Sequence, residues 1–250
     1  AGSIKITPQS ASVLRSLGNW NALRGRWNEA ARWLTMLMVA NEMIEPAAVE
    51  TSDLLSTSAA LVESGNKQDY NLFRQKVLQQ FSPPIDNVMA ERVIHATLLL
   101  PADAAILREL ENVKQMLEST EFDPHHLRPG WETDAAIWRA WAVAMVEYRS
   151  GDFEEARAWN QRALLFPVLP KFMPAILHSL QAMIESKLGN HDAAIRSLAE
   201  ARDVIDYAFA PELPAAYEPM GKKGGFWWDW IAARILYQEA QRILGAGSSR

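Results

Sequence analysis

One cluster in this 250-residue sequence has side chains and spacing suited to chemistry. Trp138, Trp141, Met145 and Tyr148 fall at i, i+3, i+7 and i+10, one face of one helix, and Arg149 stands beside them. The chemistry such a set performs is recognition. Large aromatics supply contact area, and the planar guanidinium fork can grip a carboxylate, the composition typical of binding hot spots. The same residues could equally pack against a neighbouring element, and spacing does not separate the two roles.

Reactive constellations are missing. The chain has no cysteine, which removes disulfides, thiolate metal sites and cysteine nucleophiles. A nucleophile elbow, a HExxH pair and a dinucleotide fingerprint are all absent. His125 and His126 sit near Asp123 and Asp134, but adjacent residues point apart and no third ligand is fixed by spacing, so no metal site is assigned. His95, His178 and His191 stand singly in helical stretches. The GKKGG stretch before Phe226 lacks the order of a phosphate loop, and no strand precedes it. Asp152, Glu154 and Glu155 suit a helix N-terminus, where negative charge meets the positive end of the dipole. No cofactor is expected, and the chain is read as non-catalytic.

The elements that position the aromatic stripe come from a recurring phrase. An apolar helix runs into a glycine turn and a second amphipathic helix follows: LRGRWNEAARWL around Gly25, VESGNKQDYNLF around Gly65, YRSGDFEEARAW around Gly151 and SKLGNHDAAIRS around Gly189. Glycine enters φ > 0 without steric cost and so ends the first helix, while Asn66, Asp152 and Asn190 suit the turn and the next N-terminus. The turns lie 40 residues apart (Gly25 to Gly65) and 38 apart (Gly151 to Gly189), longer than the tetratricopeptide period of about 34. Ala30, Ala156 and Ala194 each follow the glycine by five positions, where a small side chain lets paired helices approach. Between the glycine turns, LLLPADAA serves a further hairpin.

Apolar periodicity predicts helices near 11–24, 28–44, 47–64, 68–80, 85–99, 103–119, 132–149, 153–165, 173–188, 191–206 and 226–243. Pro83–Pro84, Pro101, Pro124, Pro129–Gly130, Pro167 and Pro170 mark breaks, and Glu121–Trp131 and Phe209–Gly225 are longer irregular segments. The expected fold is all-α: a tetratricopeptide-like superhelical solenoid of about five hairpins, arched to the right, with a terminal capping helix. Residues 1–10 and 245–250 are expected to be flexible, flanking one repeat domain at 11–244. By the repeat register, the face carrying Trp138, Trp141, Met145, Tyr148 and Arg149 lines the concave groove. Trp227, Trp228 and Trp230 would staple the terminal helix onto the last hairpin, or else form a patch for self-association.

Four segments occur in this order: SLGNWNALRGRWNEAARWL, VMAERVIHATLLLP, AMVEYRSGDFEEARAWNQRAL and WWDWIAARILYQEAQRIL. In order and wording they resemble the C-terminal tetratricopeptide regions of certain bacterial serine/threonine protein kinases, over about residues 14–244. The resemblance implies a cytoplasmic interaction module of a signalling protein. It carries over no catalysis, because the Gly-rich loop, the VAIK-type lysine, HRD and DFG are missing here.

Composition agrees with an ordinary globular chain, at 49% hydrophobic and 22% charged residues. A net charge of −5 with no long basic run argues against nucleic acid and against acidic membrane surfaces as partners. No apolar stretch has the length of a membrane span, and residues 1–10 lack a signal-peptide pattern. The sequence begins at Ala1 instead of Met and ends GAGSSR, so it reads as part of a longer protein or a processed product. The expected function is non-covalent binding of a peptide or partner domain. The alternatives are a regulatory or substrate-recruiting region of a larger kinase, and self-association through the Trp-rich terminal helix.

Overall fold

The computed structural model describes residues 7–42, 51–119, 131–209 and 225–247. Within them the chain is all helical. A short 3-10 turn, Pro8–Ser10, leads into eleven α-helices: α1 (Ala11–Ala22), α2 (Trp27–Glu42), α3 (Ser52–Glu63), α4 (Lys67–Phe81), α5 (Asn87–Leu98), α6 (Ala104–Glu118), α7 (Trp131–Ser150), α8 (Phe153–Leu164), α9 (Met173–Lys187), α10 (His191–Ala208) and α11 (Trp227–Gly247). The last helix runs beyond the expected end near 243, through Gly245 to Gly247.

Local chemistry sets the boundaries. Gly25, Gly65, Gly151 and Gly189 all take φ between 66° and 94°, the left-handed conformation that ends a helix. Around Gly65, Gly151 and Gly189 an added Cβ would meet nothing within 4 Å, so backbone conformation alone calls for glycine there. Asn66 accepts from the Asp69 N–H at 3.1 Å, and Asp152 accepts from Glu155 N–H at 3.1 Å. Asn190 departs from this pattern. Its amide instead donates to Glu185 Oε2 at 2.7 Å and ties the turn back onto α9. In the glycine-free hairpin, Asp103 accepts from the N–H groups of both Ala105 and Ile106 at 3.0 Å and starts α6.

Consecutive helices pair as hairpins: α1 with α2, α3 with α4, α5 with α6, α7 with α8 and α9 with α10. Each even helix also packs on the next odd helix, and the odd helices touch in succession from α1 to α9. This makes the odd helices an inner layer, and they are buried accordingly. In α3 every residue from Asp53 to Leu61 is buried, and of its polar members Asp53, Ser56 and Ser58 are hydrogen-bonded while the Thr57 hydroxyl has no partner among the described residues. Asp53 receives both Arg15 bonds at 2.7 Å and one from Asn41 at 2.9 Å, joining α1, α2 and α3. Between α8 and α9, Asn160 donates to the Leu177 carbonyl and to Gln181, which passes the chain of bonds on to Glu185.

Helix α11 takes the position of the next odd helix, against α9 and α10, as a cap on the last hairpin would. It then goes further and packs on α3. The inner layer therefore closes through α3, α5, α7, α9 and α11, where the sequence suggested an open arc. From Trp227 to Ala240 nearly all of α11 is buried, which is the mark of a helix enclosed by others.

Among the helical glycines, close approach is steepest at Gly18, where a Cβ would lie 2.5 Å from Cγ and Cδ2 of the fully buried Leu34. Gly18→Ala is expected to lower stability by about 1–3 kcal/mol through overpacking. Gly245→Ala, whose Cβ meets nothing within 4 Å, should instead stabilise by up to about 1 kcal/mol through helix propensity. Urea unfolding of the two variants checks both signs.

Candidate functional site

The five residues singled out by spacing do come together, on the inner side of α7, where other helices cover them. Trp141 and Met145 are fully buried, Tyr148 nearly so, and Trp138 is partly buried. His95 of α5 fits into the angle between the two indoles, stacked on Trp138 at 5.0 Å and edge-on to Trp141 at 4.9 Å. Beyond Trp138 the contacts continue to Phe172 at 5.7 Å and from Phe172 to Trp230 of α11 at 6.0 Å. An aromatic chain thus links α5, α7, the start of α9 and α11. Tyr148 faces Phe153 across the Gly151 turn at 5.8 Å. Burial, with Glu239 close by, pushes its phenol up to about 12.

Arg149 does grip a carboxylate, and that carboxylate belongs to the same chain. Its two terminal nitrogens hold the two oxygens of Glu239 on α11 as a fork, the Nη2–Oε2 bond being 2.7 Å. Nη2 also donates to the Leu98 carbonyl at the end of α5 at 3.3 Å. The side chains of the pair are only 4% and 10% exposed. Two further bonds fix the same helix: Arg234 pairs with Glu63 of α3 at 2.7 Å, and the Trp227 indole donates to Asn19 of α1 at 3.0 Å. The groove-facing reading of Trp138, Trp141, Met145, Tyr148 and Arg149 is corrected accordingly. α11 supplies the acid and the apolar surface that an outside partner would have brought.

Trp227, Trp228 and Trp230 are also buried within the chain, with Trp227 against Trp27 at 6.1 Å. Indoles enclosed in this way offer no patch for a second copy, which corrects the self-association reading through this helix. The histidine pair at 125 and 126 and most of the GKKGG stretch lie outside the described residues. Among the described residues no group of three or more His, Asp or Glu side chains is arranged to hold a metal ion, and no helix is long and apolar enough to cross a membrane.

What stays open lies at the edges of the closed layer. A cleft of about 640 Å³ runs between the α3–α4 turn and α11, with Val62, Leu100 and Ile235 as its floor and Glu63, Lys67 and Arg242 on its rim. Sequence reasoning missed Glu239, His95 and Phe172. His95 stands out in the sequence only as a single histidine on its helix, and Glu239 only as one of two acids, with Asp229, in the terminal helix. Compared with protein-family models, curated proteins and solved structures, the chain matches none.

Two outcomes follow from this electrostatics. Removing one member of a buried pair strands the other, so Arg149→Met should destabilise by about 3–5 kcal/mol, and the double variant Arg149→Met/Glu239→Leu should recover most of the loss in urea unfolding. Asp229 is 5% exposed, and burial raises its carboxyl from 3.8 to about 6, the Phe226 N–H bond opposing this in part. The folded chain then holds a proton that the unfolded chain releases between about pH 4 and 6. Asp229 therefore lowers stability as pH rises through that window. Asp229→Asn should be more stable than the parent by about 2–3 kcal/mol at pH 8, with the gap closing towards pH 4 in thermal melts.

Proposed function

We propose that the chain is a tetratricopeptide-like interaction module, non-catalytic in itself, that holds a protein or peptide partner. The observation that carries this reading is the repeated hairpin, in which each second helix packs on its own partner and on the following first helix. Such arrays present extended rigid surfaces, and their common use is protein binding. With its inner layer filled by α11, the surface offered to a partner is the cleft between the α3–α4 turn and α11. An apolar floor with charges of both signs on the rim suits a short segment bearing one apolar anchor and a charged flank.

The four ordered segments resembling the C-terminal regions of bacterial serine/threonine kinases support a second, compatible reading. In it the module recruits substrate for, or regulates, a catalytic domain elsewhere in a larger cytoplasmic protein.

Gln238→Trp combined with Arg242→Glu alters two exposed α11 side chains lining the cleft without touching the core. Affinity capture with the parent and with this variant, after thermal melts show equal folding, tests the reading. A protein retained by the parent and at least tenfold depleted with the variant supports it. Equal capture by both, or none by either, counts against it.

A further inference from the structure

The first helix of the array lacks a cover that every other odd helix has. Helices α3, α5, α7, α9 and α11 each carry the preceding even helix on one side, α2, α4, α6, α8 and α10 in turn. No α-helix among the described residues precedes α1, and its outer side is open. There Val13 is 57% and Trp20 46% exposed, with Leu17 half-buried between them. The three fall at i, i+4 and i+7, a stripe along one face of the helix. A shallow depression of about 470 Å³ follows them, with Ser12 and Ser16 alongside, small enough to let another helix come close.

The repeat register says what belongs on this stripe. Counted back from the turn glycine, Val13, Leu17 and Trp20 occupy the positions of Asp53, Thr57 and Ala60 on α3, and of Leu177, Gln181 and Ile184 on α9. All six counterparts are buried, and on both helices the preceding even helix reaches this face. Asn41 of α2 donates to Asp53 at 2.9 Å, and Asn160 of α8 donates to the Leu177 carbonyl at 3.1 Å and to Gln181 at 2.8 Å. On α7, Val143 and Val146 repeat the burial. Charge marks the stripe further. From Ala11 to Asn28 the chain has Arg15, Arg24 and Arg26 and no Asp or Glu. Arg15 turns to Asp53, whereas Arg24 and Arg26 flank the exposed indole, their guanidinium carbons 3.8 Å and 5.2 Å from the Trp20 ring centre. The next acid, Glu29, stands 3.8 Å from Arg32. One end of the stripe is therefore basic, on a chain whose net charge is −5.

We propose that the outer face of α1 docks an acidic amphipathic helix of another protein, seated where an even helix would precede α1. Its apolar side chains, at i, i+3 or i+4 and i+7, lie on Val13, Leu17 and Trp20, and its carboxylates face Arg24 and Arg26. Polar contacts join α2 to Asp53 and α8 to Gln181 on the equivalent faces, but α1 presents Val and Leu there, so the occupant has to bring apolar residues. A second copy of this chain fits less well. Each of its even helices already packs on two odd helices, which leaves none to lend. This face is separate from the cleft beside α11 and follows from how the hairpins pack.

The test uses the whole chain and a fluorescein-labelled peptide built on the α6 sequence, residues 104–118, whose apolar stripe is Ile106, Leu110, Val113 and Leu117. An acidic form carries Arg108→Glu and Lys114→Glu; a basic form carries Glu109→Lys, Glu111→Lys and Glu118→Lys. Fluorescence anisotropy at fixed ionic strength should show saturable binding of the acidic form, with the basic form at least tenfold weaker. Adding Leu110→Ser to the acidic form should also weaken it at least tenfold. On the chain, Val13→Glu/Trp20→Glu should weaken the acidic form at least tenfold, whereas Ile195→Glu, at an exposed apolar site on α10, leaves it unchanged. If the acidic form does not bind, if both forms bind alike, or if a folded Val13→Glu/Trp20→Glu chain binds as the parent does, the proposal fails. Should that variant not fold, Arg26→Glu on the exposed turn decides by the same tenfold criterion. Loss of binding with Gln238→Trp/Arg242→Glu would put the peptide in the cleft beside α11, overturning this inference and leaving the proposed function standing. Sedimentation of the parent chain covers the remaining occupant: a dimer dissolved by Val13→Glu/Trp20→Glu would make it a second copy and would also overturn the inference.

Discussion

From Trp227 to Ala233 helix α11 has no solvent face at all. Trp227, Trp228, Trp230, Ile231, Ile235, Leu236 and Tyr237 spread around most of its circumference, and only a few positions such as Gln238, Gln241 and Arg242 are exposed. A helix of this composition has to be enclosed, because each large apolar side chain left in water forfeits about 1.5–3 kcal/mol. Packing on α9 and α10 covers one flank. The other is covered only if α3 comes round to meet it. Closure of the inner layer is therefore a consequence of where the apolar surface lies on the last helix.

Enclosure imposes a second condition, because the helix also carries charge. Arg234 meets Glu63, and Glu239 meets Arg149, so both are neutralised by helices distant in sequence. Such buried pairs add little net stability over apolar replacements, yet a single member without its partner is strongly unfavourable. They act as register pins: sliding α11 by one turn would separate both pairs at once. Apolar burial pulls the helix in, and the two ion pairs fix where along its length it stops. Any partner must then use the rims of the layer, since the inner face has its occupant already.

The helices and their pairing were legible in the sequence because local signals encode them. Glycines with positive φ, side-chain caps at Asn66, Asp103 and Asp152, and proline breaks all act within a few residues. The stripe on α7 was legible as a set for the same reason. Its setting was not, because what covers Trp141 or answers Arg149 is decided by residues up to 90 positions away. Periodicity reports that a face is apolar and is silent on which surface meets it. The terminal tryptophans show the same limit: their burial against α9 and α10 follows from the repeat, whereas the bond from Trp227 to Asn19 depends on the closure of the whole layer.

Three acids along and beside α11 show how the group that answers a buried carboxylate decides its role. Glu239 has both oxygens held by a guanidinium fork, which leaves it no capacity for another cation. Asp229 has a single backbone donor and is buried deeply enough to resist ionisation. Glu91 has a buried oxygen without a hydrogen bond among the described residues, 3.7 Å from Nδ1 of His95. All three are buried acids, and they differ in what the fold provides across from each. Where the fold supplies a cation, the acid holds helices together. Where it supplies a single backbone donor, as at Asp229, burial dominates and the carboxyl tends to keep its proton. The two ends of one buried helix thus differ in kind: at Glu239 the chain supplies the counter-charge, and at Asp229 it answers the carboxyl with a backbone donor and leaves burial to dominate.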